Sequence, residues 1–181
     1  ALYYRESFYN IAAFLKSILI IALVSLPFAI KKPKNSGVYI KEGMIVVSLS
    51  WILISFFGSL PFYFSGQIPS LVDAFFETAS GFTTTGSSIL TDVESLSNSM
   101  LFWRSFTHFI GGMGVLVLVL AISPNTSLSD IQFMKAEVPG PQFGKMLSKL
   151  KSTAQLLYLI YIGMTIILIF ALVIAGMPVF D

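Results

Sequence analysis

The stretch Leu71-Val72-Asp73-Ala74-Phe75-Phe76-Glu77-Thr78-Ala79-Ser80-Gly81-Phe82-Thr83-Thr84-Thr85-Gly86-Ser87-Ser88 changes character in its middle. Up to Phe82 it is apolar and helix-like, with Asp73 and Glu77 one turn apart. Ser70 followed three residues later by Asp73 reads as a capping box, and Pro69 precedes it. Twelve helical residues reach about 18 Å, well short of a hydrocarbon core of roughly 30 Å. Gly81 breaks this pattern. The run Thr83–Ser88 then favours extended backbone, with Gly86 free to adopt conformations closed to residues carrying a Cβ. A helix of half length followed by a Thr/Gly strand can enter a membrane but cannot cross it.

The rest of the chain says that a membrane is present. Of 181 residues, 55% are hydrophobic and only 11% charged, and mean hydropathy is +0.83. A soluble domain carries about 25% charged residues, so lipid is the expected solvent. A net charge of +2 gives no electrostatic footprint for nucleic acid. With no cysteine there is no disulfide, thiolate metal site or thiol nucleophile. Nothing is charged between Glu42 and Asp73, between Arg104 and Asp130, or between Lys151 and Asp181. Each gap exceeds the roughly 20 residues a spanning helix needs. A fourth span runs from about Phe8 to Ile30, with Lys16 snorkelling or facing protein. Pro27-Phe28 before Lys31-Lys32 does not resemble a signal-peptide cleavage site.

Basic residues set the orientation. Lys31, Lys32, Lys34 and Lys41 lie between the first two spans, and Lys135, Lys145, Lys149 and Lys151 between the last two. Asp73, Glu77, Asp92 and Glu94 occupy the middle connection. The positive-inside rule places both Lys-rich loops in the cytoplasm and the acidic stretch outside.

That outer connection, about 35 residues long, exceeds what a turn requires. Non-helical backbone at membrane depth is tolerated where protein or a water-filled cavity surrounds it. A Thr/Gly strand there presents successive carbonyl oxygens, which can replace the water shell of a monovalent cation. The half-helix would aim the negative end of its dipole at the same place. Thr83, Thr84, Thr85, Gly86 and Ser87 are therefore the candidate ion-binding filter, with a monovalent cation at Thr84, Thr85 and Gly86. The competing reading is a plain loop, since TTTGSS is a common loop composition. Position after a half-length apolar helix and between two spans favours the filter.

Four further residues are candidates for filter support: Glu77, Ser80, Gly81 and Arg104. Glu77 is expected to make a structural hydrogen bond to the strand, and Arg104 to anchor at the interface or pair with Glu77. Gly111, Gly112 and Gly114 serve helix packing or gating, with packing by small residues the default. Trp51, Trp103 and the tyrosines read as ordinary membrane aromatics. Ser80 with His108 raises the remote alternative of an intramembrane serine protease, which needs the Ser80 hydroxyl within hydrogen-bond reach of the imidazole. A non-conducting membrane scaffold of the same fold is the other alternative. Internal repetition adds support for a transporter: Gly66-Gln67-Ile68-Pro69 before Asp73 recurs as Gly176-Met177-Pro178 before Asp181, about 110 residues later.

Several blocks then bear a family resemblance. Glu42-Gly43, Trp51, Gly58-x-x-Pro61-Phe62, Asp73-Ala74-x-Phe76-Glu77 and Ser80-Gly81-Phe82-Thr83-Thr84-Thr85-Gly86 resemble the first membrane–pore–membrane repeat of the Trk/Ktr/HKT family of potassium transporters. Phe102-Trp103-Arg104-Ser105 with Gly111-Gly112-Met113-Gly114 is similar to that repeat's second helix. Ala136-Glu137-x-Pro139-Gly140-Pro141 resembles the cytoplasmic link, and Thr153-Ala154 with Tyr161 the start of the next repeat. The resemblance implies an all-α integral membrane protein whose helix–half-helix–helix repeats are like a potassium channel. Residues 1–40 would form a leading transmembrane helix and Lys-rich link, and 41–123 the first repeat. Residues 124–153 would form a cytoplasmic link, and 154–181 the first helix of a second repeat that this sequence does not complete. It also implies potassium uptake across the cell membrane through four repeats, each giving one filter glycine, of which Gly86 is the first. Implied partners are the lipid bilayer, a second copy of the full-length chain, and a cytoplasmic ring of nucleotide-binding regulatory subunits. No enzymatic activity, organic cofactor or nucleic acid is implied. In the plant relatives, glycine at this position goes with potassium and serine with sodium, so Gly86 favours potassium.

Overall fold

The computed structural model describes residues 8–30, 40–114 and 150–178, and these hold five helices and no strand. They are α1 (Phe8–Ile30), α2 (Ile40–Phe64), α3 (Leu71–Phe82), α4 (Asn98–Met113) and α5 (Leu150–Ile174). The Lys31–Lys34 cluster, the link around Pro139-Gly140 and Asp181 lie outside the described residues.

Three helices are long and apolar enough to cross a membrane, through Phe8–Phe28, Ile45–Phe64 and Ser152–Ile174. Their outward faces carry Leu, Ile, Val and Phe side chains that pack on nothing, including Leu19 and Leu23 on α1 and Ile167 and Phe170 on α5. Water would not tolerate so much bare apolar surface, whereas lipid tails match it. Lys16 is exposed on α1, two turns from its start. Helical side chains lean toward the N-terminus, so its stem runs back toward the start of α1 rather than into protein.

α1 meets α2 through a narrow stripe of small or polar residues, Asn10, Ala13 and Ser17, all buried. Spacings of three and four put them on one face, and their size lets the backbones approach. Ser17 returns its hydroxyl to the Ala13 carbonyl at 2.8 Å, and Asn10 accepts from the Gln67 amide at 3.2 Å.

α2 is mostly exposed between Ile45 and Leu53, apart from the buried Val47, and buried from Gly58 to Phe62. There it meets α3 and α4 around a core of Phe62, Ile68, Ala74, Leu96 and Met100, flanked by Phe14, Leu90, Leu101 and Trp103. Pro61 sits inside α2 and supplies no N–H to the turn before it. Gly66 ends the helix at φ +74, with Ser65 N–H on the Pro61 carbonyl and Gly66 N–H on the Tyr63 carbonyl. α5 closes alike, with Gly176 at φ +96 and the same pair of bonds from Ala175 to Ala171 and from Gly176 to Val173. The Gly-x-Pro repetition in sequence thus corresponds to a repeated helix cap.

The third span anticipated between Arg104 and Asp130 is described only as far as Gly114. α4 covers 16 residues, or about 24 Å, and ends where Gly114 takes φ +84 and ψ 130. The remainder of that interval lies outside the described residues.

Candidate functional site

α3 has the bounds its sequence suggests. Ser70 is its N-cap, in extended backbone, and its hydroxyl accepts the Asp73 N–H at 3.3 Å. One face of the helix is buried, comprising Ala74, Glu77, Thr78, Ser80, Gly81 and Phe82. Glycines on the neighbours make that burial possible. A Cβ on Gly58 of α2 would lie 2.8 Å from the Thr78 methyl and 2.9 Å from the Phe82 ring. A Cβ on Gly111 of α4 would run into the Phe82 carbonyl, and one on Gly81 would run into Thr107. The C-terminal turn of α3 is therefore wedged between α2 and α4 at distances only glycine permits.

The strand after it departs from the extended form anticipated. Thr83 and Thr84 make a turn that folds back on the helix end. Thr83 N–H bonds to the Ala79 carbonyl at 2.9 Å, Thr84 N–H to Gly81 at 3.0 Å, and Thr85 and Gly86 N–H both to Ser80, at 2.9 and 3.4 Å. The cause is the helix itself, whose last carbonyls lack intrahelical donors. Four successive N–H groups satisfy them. To do so the chain alternates in hand: Thr83 has φ −80, Thr84 +56 and Gly86 +76, while Thr85 stays negative. Thr84 is the sole non-glycine with positive φ among the described residues, a costly conformation for a β-branched side chain. None of the Thr83, Thr84, Thr85 and Gly86 carbonyls accepts a hydrogen bond from a described residue, and all four residues are exposed.

The outgoing limb is fastened by side chains. Glu77 is 1% exposed, and its two oxygens are fully engaged. Oε1 accepts the Arg104 Nε–H at 2.6 Å. Oε2 accepts the Ser88 hydroxyl at 2.9 Å and the Ile89 N–H at 3.2 Å. A carboxylate so engaged is a structural group rather than an ion ligand. Ser80 donates its hydroxyl to the Ser87 carbonyl at 2.6 Å. Thr83 donates to the Ala79 carbonyl at 2.7 Å, so the 2.8 Å contact between the Thr83 and Thr85 hydroxyls is donated by Thr85.

This arrangement disposes of the Ser–His pairing. Ser80 turns to Ser87, while His108 Nδ1 lies 3.0 Å from the Arg104 carbonyl on its own helix. Of the three glycines on α4, Gly111 packs against Phe82, Gly112 faces the Tyr161 hydroxyl of α5, and Gly114 ends the helix. Tyr161 also donates to the Phe109 carbonyl at 3.2 Å and Tyr158 to that of Gly114 at 3.3 Å.

Sequence reasoning overlooked three contributors. Trp103 is no ordinary membrane aromatic: its indole N–H reaches the Gly58 carbonyl at 2.9 Å, tying α4 to α2. Ser88 extends the Glu77 cluster. Gln67 bridges three segments, donating to Asn10 at 3.2 Å and Ser97 at 2.7 Å and accepting the Ser97 N–H at 2.7 Å. A lone polar residue beside Gly66 at a helix end was the available signal for Gln67.

The family model for TrkH, described as a cation transport protein, matches residues 10–177. The chain is 43% identical over 144 residues to a Trk system potassium uptake protein TrkH of Salmonella typhimurium, covering 78% of this chain and 30% of that protein. It is 36% identical over 152 residues to the Trk system potassium uptake protein TrkG of Escherichia coli, covering 82% and 31%. An uncharacterized cation transporter of Methanocaldococcus jannaschii is 33% identical over 150 residues, covering 83% and 31%. The chain thus spans about 30% of the length of the curated relatives it matches. No solved structure matches it.

Proposed function

Because the chain belongs to the TrkH family of cation transport proteins, multi-pass proteins of the cell membrane rather than enzymes, we propose that it forms the first pore unit of a potassium-uptake protein. Thr83, Thr84, Thr85, Gly86 and Ser87 are one wall of its selectivity filter. The observation that carries this reading is the alternating backbone. Successive residues of opposite hand turn their N–H groups to one side. Here that side is the end of α3, where Ala79, Ser80 and Gly81 receive them. The carbonyls of Thr83, Thr84, Thr85 and Gly86 are left for the other side, without partners among the described residues, while that of Ser87 accepts the Ser80 hydroxyl.

Such a row suits a cation that sheds its water. Backbone oxygens at Thr84, Thr85 and Gly86 take over part of the hydration shell of potassium, and the negative end of the α3 dipole favours the charge there. No carboxylate competes, since Glu77 is held by Arg104, Ser88 and Ile89. Potassium then moves inward down its electrochemical gradient. One wall encloses nothing, so the reading calls for three further repeats. We extend it, on the family resemblance, to a dimer of the full-length chain on a ring of nucleotide-binding regulatory subunits.

Rubidium and sodium uptake by vesicles carrying the complete protein, wild type against Gly86→Ser, tests it. Loss of rubidium uptake or a shift toward sodium is expected. Identical transport by both would make Gly86 a loop glycine. No transport by either, with a regulatory partner present, would favour a scaffold.

A further inference from the structure

Hydroxyls on the apolar helices follow one habit. Ser17, Ser50, Ser59, Thr78, Thr107 and Thr165 each donate to a carbonyl three or four residues back in their own helix. This is the default for serine and threonine that lack water. Ser80 breaks it. Only 6% exposed, it reaches forward seven residues to the Ser87 carbonyl at 2.6 Å. Its own carbonyl meanwhile accepts the N–H groups of Thr85 and Gly86. One residue thus holds three consecutive residues of the strand, two through its backbone and the third through its side chain.

The two attachments differ in consequence. The backbone bonds hold N–H groups and leave carbonyls free. The hydroxyl holds a carbonyl, draws it toward α3 and uses part of its acceptor capacity. Ser87 is also the outermost of the five filter residues, because the chain runs outward after α3. We propose that Ser80 is a selectivity-determining positioning residue: by restraining the Ser87 carbonyl, it fixes the outer edge of the row of ion-facing oxygens at Gly86. This rests on the filter reading above. Discrimination between ions of different radius depends on how many oxygens face the ion and how firmly they are held. A Ser87 carbonyl released from Ser80 would join the row loosely and blur that edge.

Ser80→Ala removes the hydroxyl and retains the backbone carbonyl that holds Thr85 and Gly86. Ser80→Thr restores a hydroxyl. The complete protein in vesicles is assayed for rubidium and sodium uptake in both variants and in Gly86→Ser, with melting temperature in detergent measured alongside. The expected result is a rubidium-to-sodium ratio lowered roughly fivefold in Ser80→Ala, the equivalent of one neutral hydrogen bond, at nearly unchanged melting temperature, and recovered in Ser80→Thr. A wild-type ratio in Ser80→Ala while Gly86→Ser shifts would overturn the role of Ser80 and leave the filter standing. Proportional loss of both ions with a lowered melting temperature would make Ser80 merely structural. An unshifted Gly86→Ser would remove the filter and this inference together.

Discussion

Arg104 on α4 donates its Nε–H to Glu77 on α3 at 2.6 Å, and the carboxylate is buried to 1% exposure while 19% of the guanidinium side chain remains accessible. The asymmetry decides what each replacement does. Arg104→Met strands a buried carboxylate, which costs about 3–5 kcal/mol. Arg104→Met should therefore lower the unfolding free energy of the full-length protein in mild detergent by that amount. Glu77→Gln combined with Arg104→Met should recover much of it, since no buried charge is left. A single variant as stable as wild type would show that the pair carries no structural weight.

Two neighbouring glycines on α4 separate rigid from yielding contacts. A Cβ on Gly111 meets the backbone of Phe82, which cannot move without displacing the turn at Thr83-Thr84. A Cβ on Gly112 meets the end of the Tyr161 side chain at 2.5 Å, which can rotate away. Gly111→Ala should cost at least the 1–3 kcal/mol typical of overpacking, about as much as a core defect, and Gly112→Ala distinctly less. Melting temperatures of the two variants, compared directly, check this. Equal losses would contradict the wedge described for α3.

Gly86 offers the opposite case, open space with a restrictive backbone. Nothing lies within 4 Å of a Cβ placed there, yet φ is +76. Gly86→Ala should still cost about 1 kcal/mol from the left-handed conformation alone, and should alter ion uptake without any steric clash. At Thr84, with φ +56, replacement by glycine relieves the same strain, so Thr84→Gly should lose little or no stability. A large loss in Thr84→Gly would place the Thr84 side chain, not its backbone, in control.

Trp103→Phe keeps the ring contact with Phe14 and removes the bond to the Gly58 carbonyl. A loss of about 1 kcal/mol is expected, measured by thermal unfolding in detergent. No change would mean that the indole N–H carries no weight in joining α4 to α2.

The spans at Phe8–Phe28, Ile45–Phe64 and Ser152–Ile174 and the half-length helix were legible because charge-free length and capping chemistry are local properties. Ser70 and Phe82 bound α3 in the sequence as in the structure. The expected proximity of Arg104 and Glu77 came from two charges near membrane depth, where few partners exist. The turn at Thr83-Thr84 was not legible. It arises from unsatisfied carbonyls at a helix end, and threonine's preference for extended backbone points the other way. Ser88 and Gln67 were hidden for another reason. Their roles depend on which segment returns beside them, and an aperiodic stretch such as Ile89–Ser97 carries no pattern to announce that. Trp103 was read by composition, whereas its role follows from the carbonyl it faces.

The amide of Gln67 joins residues made at three different times. Asn10 precedes it by 57 positions and Ser97 follows it by 30. A ribosome feeding this chain into the bilayer delivers α1 and α2 long before Ser97 emerges. The bonds of Gln67 are therefore incomplete until the segment through α3 has been made and α4 begins. The bond to Ser97 is then a late event, closing only once the intervening segment brings Ser97 back beside Gln67. Gln67 thus makes the junction of the first two helices with the start of α4 dependent on the whole segment between residues 67 and 97.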